Sequence, residues 1–124
     1  MFKTQNGWTK ESMKEHVRNN FKDKSQNISG PGCLYRGPEG KKCAVGLFIP
    51  DEFYIPELDR AEGTLLEGTE VQHILRAYPH LEGFMPLEVK ALTGFQTFHD
   101  NLSDSKTEIE QTESLLRWIE TRVE

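Results

Sequence analysis

The sequence predicts an α+β fold, mostly helical with about four helices and one short β-hairpin, forming a single domain over residues 1–124. Three observations predict it. Apolar residues recur at helical spacing in several separate windows. Gly and Pro punctuate the chain after the first of them. A segment bounded by Cys33 and Cys43 carries turn chemistry at its centre. A chain of 124 residues and 14.3 kDa suits one hydrophobic core.

The first helix is predicted over residues 10–21. Thr9 is the N-cap, Glu11 lies in the first turn, and Met13, Val17 and Phe21 recur every fourth position. Trp8 before the cap and Met13 after it fit a hydrophobic staple. Gly30, Pro31 and Gly32 bar any regular element from continuing, so a new one begins near Cys33. Cys33 to Arg36 reads as a strand, Gly37 to Gly40 as a turn, and Lys41 to Cys43 as the returning strand. The apolar run Ala44 to Ile49 fits a buried strand or a buried helical turn equally well, because periodicity does not separate them at this length.

Pro50 biases Ile49 toward an extended backbone, and residues 50–68 read as turns and short helical pieces. A helix starting at Thr69 is signalled by a Thr69 and Gln72 capping box and by Val71, Ile74, Leu75 and Tyr78; Pro79 ends it. The next starts at Pro86 with Leu87, Ala91, Leu92, Phe95 and Phe98 as its buried stripe, and Gly94 there permits close packing. The last has Ser105 and Glu108 as a capping box. Its stripe is Ile109, Thr112, Leu115, Leu116 and Ile119, with Trp118 to one side.

Charge narrows the function. Fifteen Lys and Arg against twenty Asp and Glu give −5, which disfavours general nucleic-acid binding. No apolar run approaches the roughly 20 residues of a membrane span, and the start of the chain lacks a signal peptide's apolar stretch, so no membrane association and a cytoplasmic location are expected. Two cysteines are too few for a disulfide scaffold. Cys33 and Cys43 can pair if they face each other across the hairpin, but a cytoplasm keeps them reduced.

Cys33, Tyr35, Arg36, Gly40, Lys42, Cys43, Ala44, Val45, Gly46, Ile49, Pro50, Asp51, Tyr54 and Pro56 form a distinctive block, and Gln96, His99 and Asp100 a second. Together they resemble a small family of uncharacterised bacteriophage and bacterial proteins with a C-x-Y-R-G-P-x-G-x-K-C-A-V-G core, then I-P-D-x-x-Y, and a later Q-x-x-H-D element. Where relatives often carry a small residue or a third Cys after the last Gly of that core, this chain has Leu47. The resemblance supplies no activity. It implies a bacterial cytoplasm, that of the host if the protein is phage-encoded, and the role of a small accessory protein, with counter-defence a candidate.

Tyr35, Arg36, Lys41 and Lys42 flank the predicted turn and make a positive patch on an acidic chain, a natural seat for an anion such as a nucleotide phosphate. The leading expectation is a non-enzymatic binding protein that engages a host protein or sequesters a small anionic, nucleotide-like ligand through that patch. The alternative is a small Cys-dependent enzyme with Cys43 as nucleophile and His99 and Asp100 as base and orienting carboxylate. The bland reading of that set is a buried thiol and a helix-end histidine. No metal or other cofactor is expected: nine residues between the cysteines are too many for a zinc knuckle, and His16, His73, His80 and His99 show no ligand spacing. Glu52, Glu57, Asp59, Glu62, Glu67 and Glu70 read as a solvated acidic face. Trp118, Phe84 and Tyr54 are candidate partner anchors, the last two favoured as core.

Overall fold

The computed structural model describes residues 1–24, 28–29, 32–33, 41–55, 69–103 and 105–124. Four α-helices make its frame: α1 (Lys10–Asn20), α2 (Thr69–Ala77), α3 (Val89–Asp100) and α4 (Glu108–Arg122). Helix α1 packs on α4, α4 on α3, and α3 on α2, so α3 and α4 are central. Phe95, Leu92, Leu115 and Ile119, all fully buried, fill the space between them. Each such side chain withdrawn from water contributes roughly 1.5–3 kcal/mol before entropy is counted.

Helix α1 starts where its sequence says. Thr9 Oγ1 accepts the Ser12 N–H and Ser12 Oγ accepts the Thr9 N–H, a reciprocal capping box. Met13 and Val17 are fully buried, and Phe21 closes the stripe just past the helix end. Helix α4 starts two residues later than its Ser105 and Glu108 signal predicts. The operative box is Thr107 with Glu110: Thr107 Oγ1 accepts the Glu110 N–H and Glu110 Oε1 accepts the Thr107 N–H. Ser105 is used differently, its backbone N–H and hydroxyl meeting Ser103 Oγ.

The α+β assignment is overturned. Among the described residues every element that supplies the core is helical or a tight helical turn, and no strand runs through 41–49. The predicted hairpin, Cys33 to Arg36 against Lys41 to Cys43, is likewise corrected. Cys33 pairs backward with Ile28 in a contact only two residues long on each side, too short to act as a sheet, and residues 34–40 lie outside the described part. After Cys43 the chain winds instead of extending: Leu47 N–H donates to Cys43 O, Phe48 N–H to Val45 O, and Ile49 N–H to Gly46 O. The physical reason is burial. Six successive apolar residues, Ala44 to Ile49, are all buried, and a helical turn satisfies its own backbone groups there, whereas a strand needs neighbours to supply them. Pro50 then holds Ile49 extended, as its sequence implies.

A second tight turn, unmarked by hydrophobic pattern, joins the start of the chain to its middle. Asn6 and Gly7 both take positive φ, 56° and 84°, and the Trp8 N–H closes on Gln5 O. Among the described residues this Asn-Gly pair is the one place with a left-handed backbone, and those two residues tolerate it best. The turn is sewn to residues 82–87: Asn6 Nδ2 donates to Glu82 O and Met85 O, Gln5 N–H to Pro86 O, and Trp8 Nε1 to Phe84 O. At the far end Phe2 and Val123 form a parallel bridge. No helix among the described residues is long and apolar enough to cross a membrane.

Candidate functional site

The Asn-Gly turn, α1, the segment 42–51 and the end of the short 3-10 helix Pro79–Phe84 converge on one cavity of about 370 Å³. That volume falls within the roughly 300–1,000 Å³ of small-molecule pockets. Its apolar wall is aromatic. Trp8 meets His16 and Phe48 edge-on with centroids 5.3 and 5.2 Å away, and His16 stacks on Phe48 at 5.2 Å. Phe84, 38% exposed, stands at the rim, supported by Phe53 at 5.0 Å.

The polar groups of the cavity divide into those already engaged and those still available. His16 Nε2 hydrogen-bonds the Leu47 carbonyl and its Nδ1 faces Asn20 Nδ2, which fits the tautomer with the proton on Nε2. The indole N–H of Trp8 and the amide N–H groups of Asn6 are taken by backbone carbonyls. What faces a ligand as a donor is Lys42. Its ammonium lies 3.6 Å from an Asp51 carboxylate whose side chain is 80% exposed. The Lys42 side chain is itself only 17% exposed, so its stem packs against the protein while its ammonium reaches the solvent-facing Asp51 at the cavity's edge.

Of the four residues predicted to hold an anion, only Lys42 is brought to this cavity among the described residues. Lys41 is half-buried beside it in the chain, and Tyr35 and Arg36 lie outside the described part. The aromatic wall was legible only in pieces. Trp8 reads as a helix staple and Phe48 as core, and only the Asn-Gly pair at residues 6 and 7 signals the turn that brings Trp8 to Phe84.

The second predicted set does come together, through a residue that the resemblance marks but the chemical reading passes over. Gln96, 4% exposed on α3, accepts the Val45 N–H at 2.9 Å and the Cys43 thiol at 3.5 Å on its Oε1, and donates from Nε2 to Asp100 Oδ1 at 2.8 Å. His99 Nδ1 is 3.1 Å from the same carboxylate oxygen, its ring wholly buried edge-on to Phe21. Lys24, itself 4% exposed, caps the cluster by donating to Asp100 O. Among the described residues the thiol meets an amide oxygen, and no hydrogen bond joins it to His99. A nucleophile needs a base within hydrogen-bond reach, and an amide oxygen does not take a proton at neutral pH. With Cys43 at 0% exposure, this arrangement is a buried clasp holding the 43–48 turn against α3.

The remaining candidates separate. Tyr54 is half-buried against the core and Glu52 is exposed, while Glu57, Asp59, Glu62 and Glu67 lie outside the described residues. No group of three or more His, Cys, Asp and Glu suited to a metal ion occurs among the described residues. No protein-family model matches the chain, and neither a curated protein nor a solved structure does.

Proposed function

We propose that this chain is a non-enzymatic, phage-type accessory binding protein that sequesters a small, planar, anionic ligand of the nucleotide kind in the cavity between Trp8, Phe48 and Phe84. The observation that carries this reading is the position of Lys42, a cation on the edge of an aromatic cavity of about 370 Å³. Aromatic walls take the flat face of a base, and an ammonium takes a phosphate as a point charge. The resemblance of the Cys33 to Pro56 block to phage and bacterial proteins supports the accessory role.

The test is titration of the isotope-labelled chain with the four 5′-ribonucleoside monophosphates and with inorganic phosphate, following the Trp8 indole N–H by NMR. Saturable shifts at Trp8 and Lys42 with at least one nucleotide, weakened tenfold or more in Lys42→Glu, are the expected result. Absence of any shift at millimolar nucleotide, or equal binding by Lys42→Glu, overturns the reading.

A further inference from the structure

A second concavity, about 240 Å³, opens between α3 and α4 and shares no lining residue with the first. Its floor is apolar. Trp118, 7% exposed, is held between Phe2 and Phe95 with ring centroids 6.1 and 5.0 Å away, and Phe98 borders it from α3. The hydroxyls on its wall are turned inward as donors: Ser114 Oγ donates to Glu110 O and Thr121 Oγ1 to Arg117 O. The groups left to face a visitor are the guanidiniums of Arg117 and Arg122, both on exposed residues.

Their isolation is unexpected on this chain. Acids outnumber bases twenty to fifteen, and elsewhere on the same helix Glu120 is shared by Lys10 at 3.2 Å and Lys14 at 3.8 Å. Neither Arg117 nor Arg122 forms an ion pair among the described residues, although Glu113 stands one turn before Arg117. Two unpaired guanidiniums beside a fixed tryptophan make the kind of surface that dominates binding energy in protein interfaces. The volume lies below the roughly 300 Å³ at which pockets for whole small molecules begin, which fits one large side chain better than a free ligand.

We propose that this groove docks an acidic segment of a partner protein, which inserts one aromatic side chain over Trp118 and Phe98 and places its carboxylates on Arg117 and Arg122. The attraction is local. The net charge of −5 repels an acidic partner at long range, but beyond the ~8–10 Å screening length at physiological salt that repulsion is largely screened, and at contact a carboxylate meets the two unpaired guanidiniums directly. Planar carboxylate recognition by the guanidinium fork then sets the orientation.

The test uses the full labelled chain and two synthetic pentapeptides, one with a tryptophan flanked by glutamates and one with it flanked by lysines. The glutamate peptide is expected to shift the Trp118 indole and the Arg117 and Arg122 side-chain signals saturably. Its affinity should fall tenfold or more in the Arg117→Glu, Arg122→Glu double variant, with the melting temperature retained. Should that variant unfold, Arg117→Gln with Arg122→Gln serves the same purpose. No shift at millimolar peptide, an equal response to the lysine peptide, or undiminished binding by the folded variant overturns the proposal. So does a concentration-dependent shift of the same signals without peptide, which would mean that a second copy fills the groove.

Discussion

Gln96 reaches from the middle of α3 to accept the backbone N–H of Val45 at 2.9 Å, across 51 residues of sequence. This one side chain supplies what a neighbouring strand would otherwise have to supply, an acceptor for a buried donor at the start of the 43–48 turn. Replacing it removes a partner from three groups at once: the Val45 amide, the Cys43 thiol and the Asp100 carboxylate. A buried polar group left unpaired costs about 1–3 kcal/mol. Gln96→Leu should therefore lower unfolding free energy by about 2–4 kcal/mol in urea titration, less than the sum because Asp100 is partly exposed. A change within 0.5 kcal/mol would show that the clasp contributes little.

The same clasp predicts the behaviour of the thiol. Cys43 is fully buried and its thiol donates to the Gln96 amide oxygen, so a reagent in solvent does not reach the sulfur in the folded chain. Alkylation by iodoacetamide at neutral pH should be slow in the folded chain and rapid in denaturant. Fast labelling of Cys43 under native conditions would revive the thiol-enzyme alternative.

Gly94 gives a prediction of opposite sign to intuition. A methyl group placed there meets only Trp118 Cζ2, at 3.6 Å, an ordinary contact distance. Close packing does not require the glycine, so Gly94→Ala should stabilise the chain by up to about 1 kcal/mol through helix propensity. A loss of stability would mean that Trp118 sits more tightly against α3 than this distance allows.

The start of α4 predicts an acid response. Backbone and side-chain hydrogen bonds from Thr107 hold the Glu110 carboxyl below its ordinary value of 4.5, and the Lys10 ammonium does the same for Glu120. A carboxyl whose folded-state value is depressed stabilises the fold above its unfolded value, and that contribution is lost as pH falls through the folded one. Melting temperature should therefore hold steady near neutrality and decline below about pH 4.5. Thr107→Ala removes the cap at a cost of about 1 kcal/mol near neutral pH and should flatten the acid decline. The Ser105→Ala variant is the control: if it costs as much as Thr107→Ala, the operative cap is misplaced.

Much of the helical frame was legible before any coordinates, and what was not has identifiable causes. Spacing alone puts Met13, Val17, Leu92, Phe95, Leu115 and Ile119 on buried faces, and they are buried. Spacing places Ile109 with them, yet it is 70% exposed, while Gln111, polar and unmarked, is fully buried two residues further on, on the other side of the helix. Apolar periodicity sees only apolar residues. Gln111 is inside because its amide meets Lys24 N–H, Asp23 Oδ1 and Lys106 O, partners contributed by the chain after α1 and before α4. The candidate site was legible only as single residues. Lys42 carries charge in any conformation, whereas the aromatic wall that gives the charge a use is assembled from four stretches of chain.

By itself, then, the sequence determined which stretches are helical, though it starts α3 at Pro86 rather than Val89 and α4 two residues early, together with the N-cap of α1, the stop at Pro50 and the acidic balance, because these depend on neighbours within a turn or two and on residue type alone. Tertiary structure decided the rest. It wound residues 43–49 into a helical turn by bringing Gln96 to Val45, joined Trp8 to Phe84 through the Asn-Gly turn, and left Arg117 and Arg122 without partners beside Trp118. Each of these depends on which distant group arrives to satisfy a buried donor or to withhold a counter-charge. Hydrogen-bond partners 50 to 90 positions away in the chain leave no trace in local periodicity.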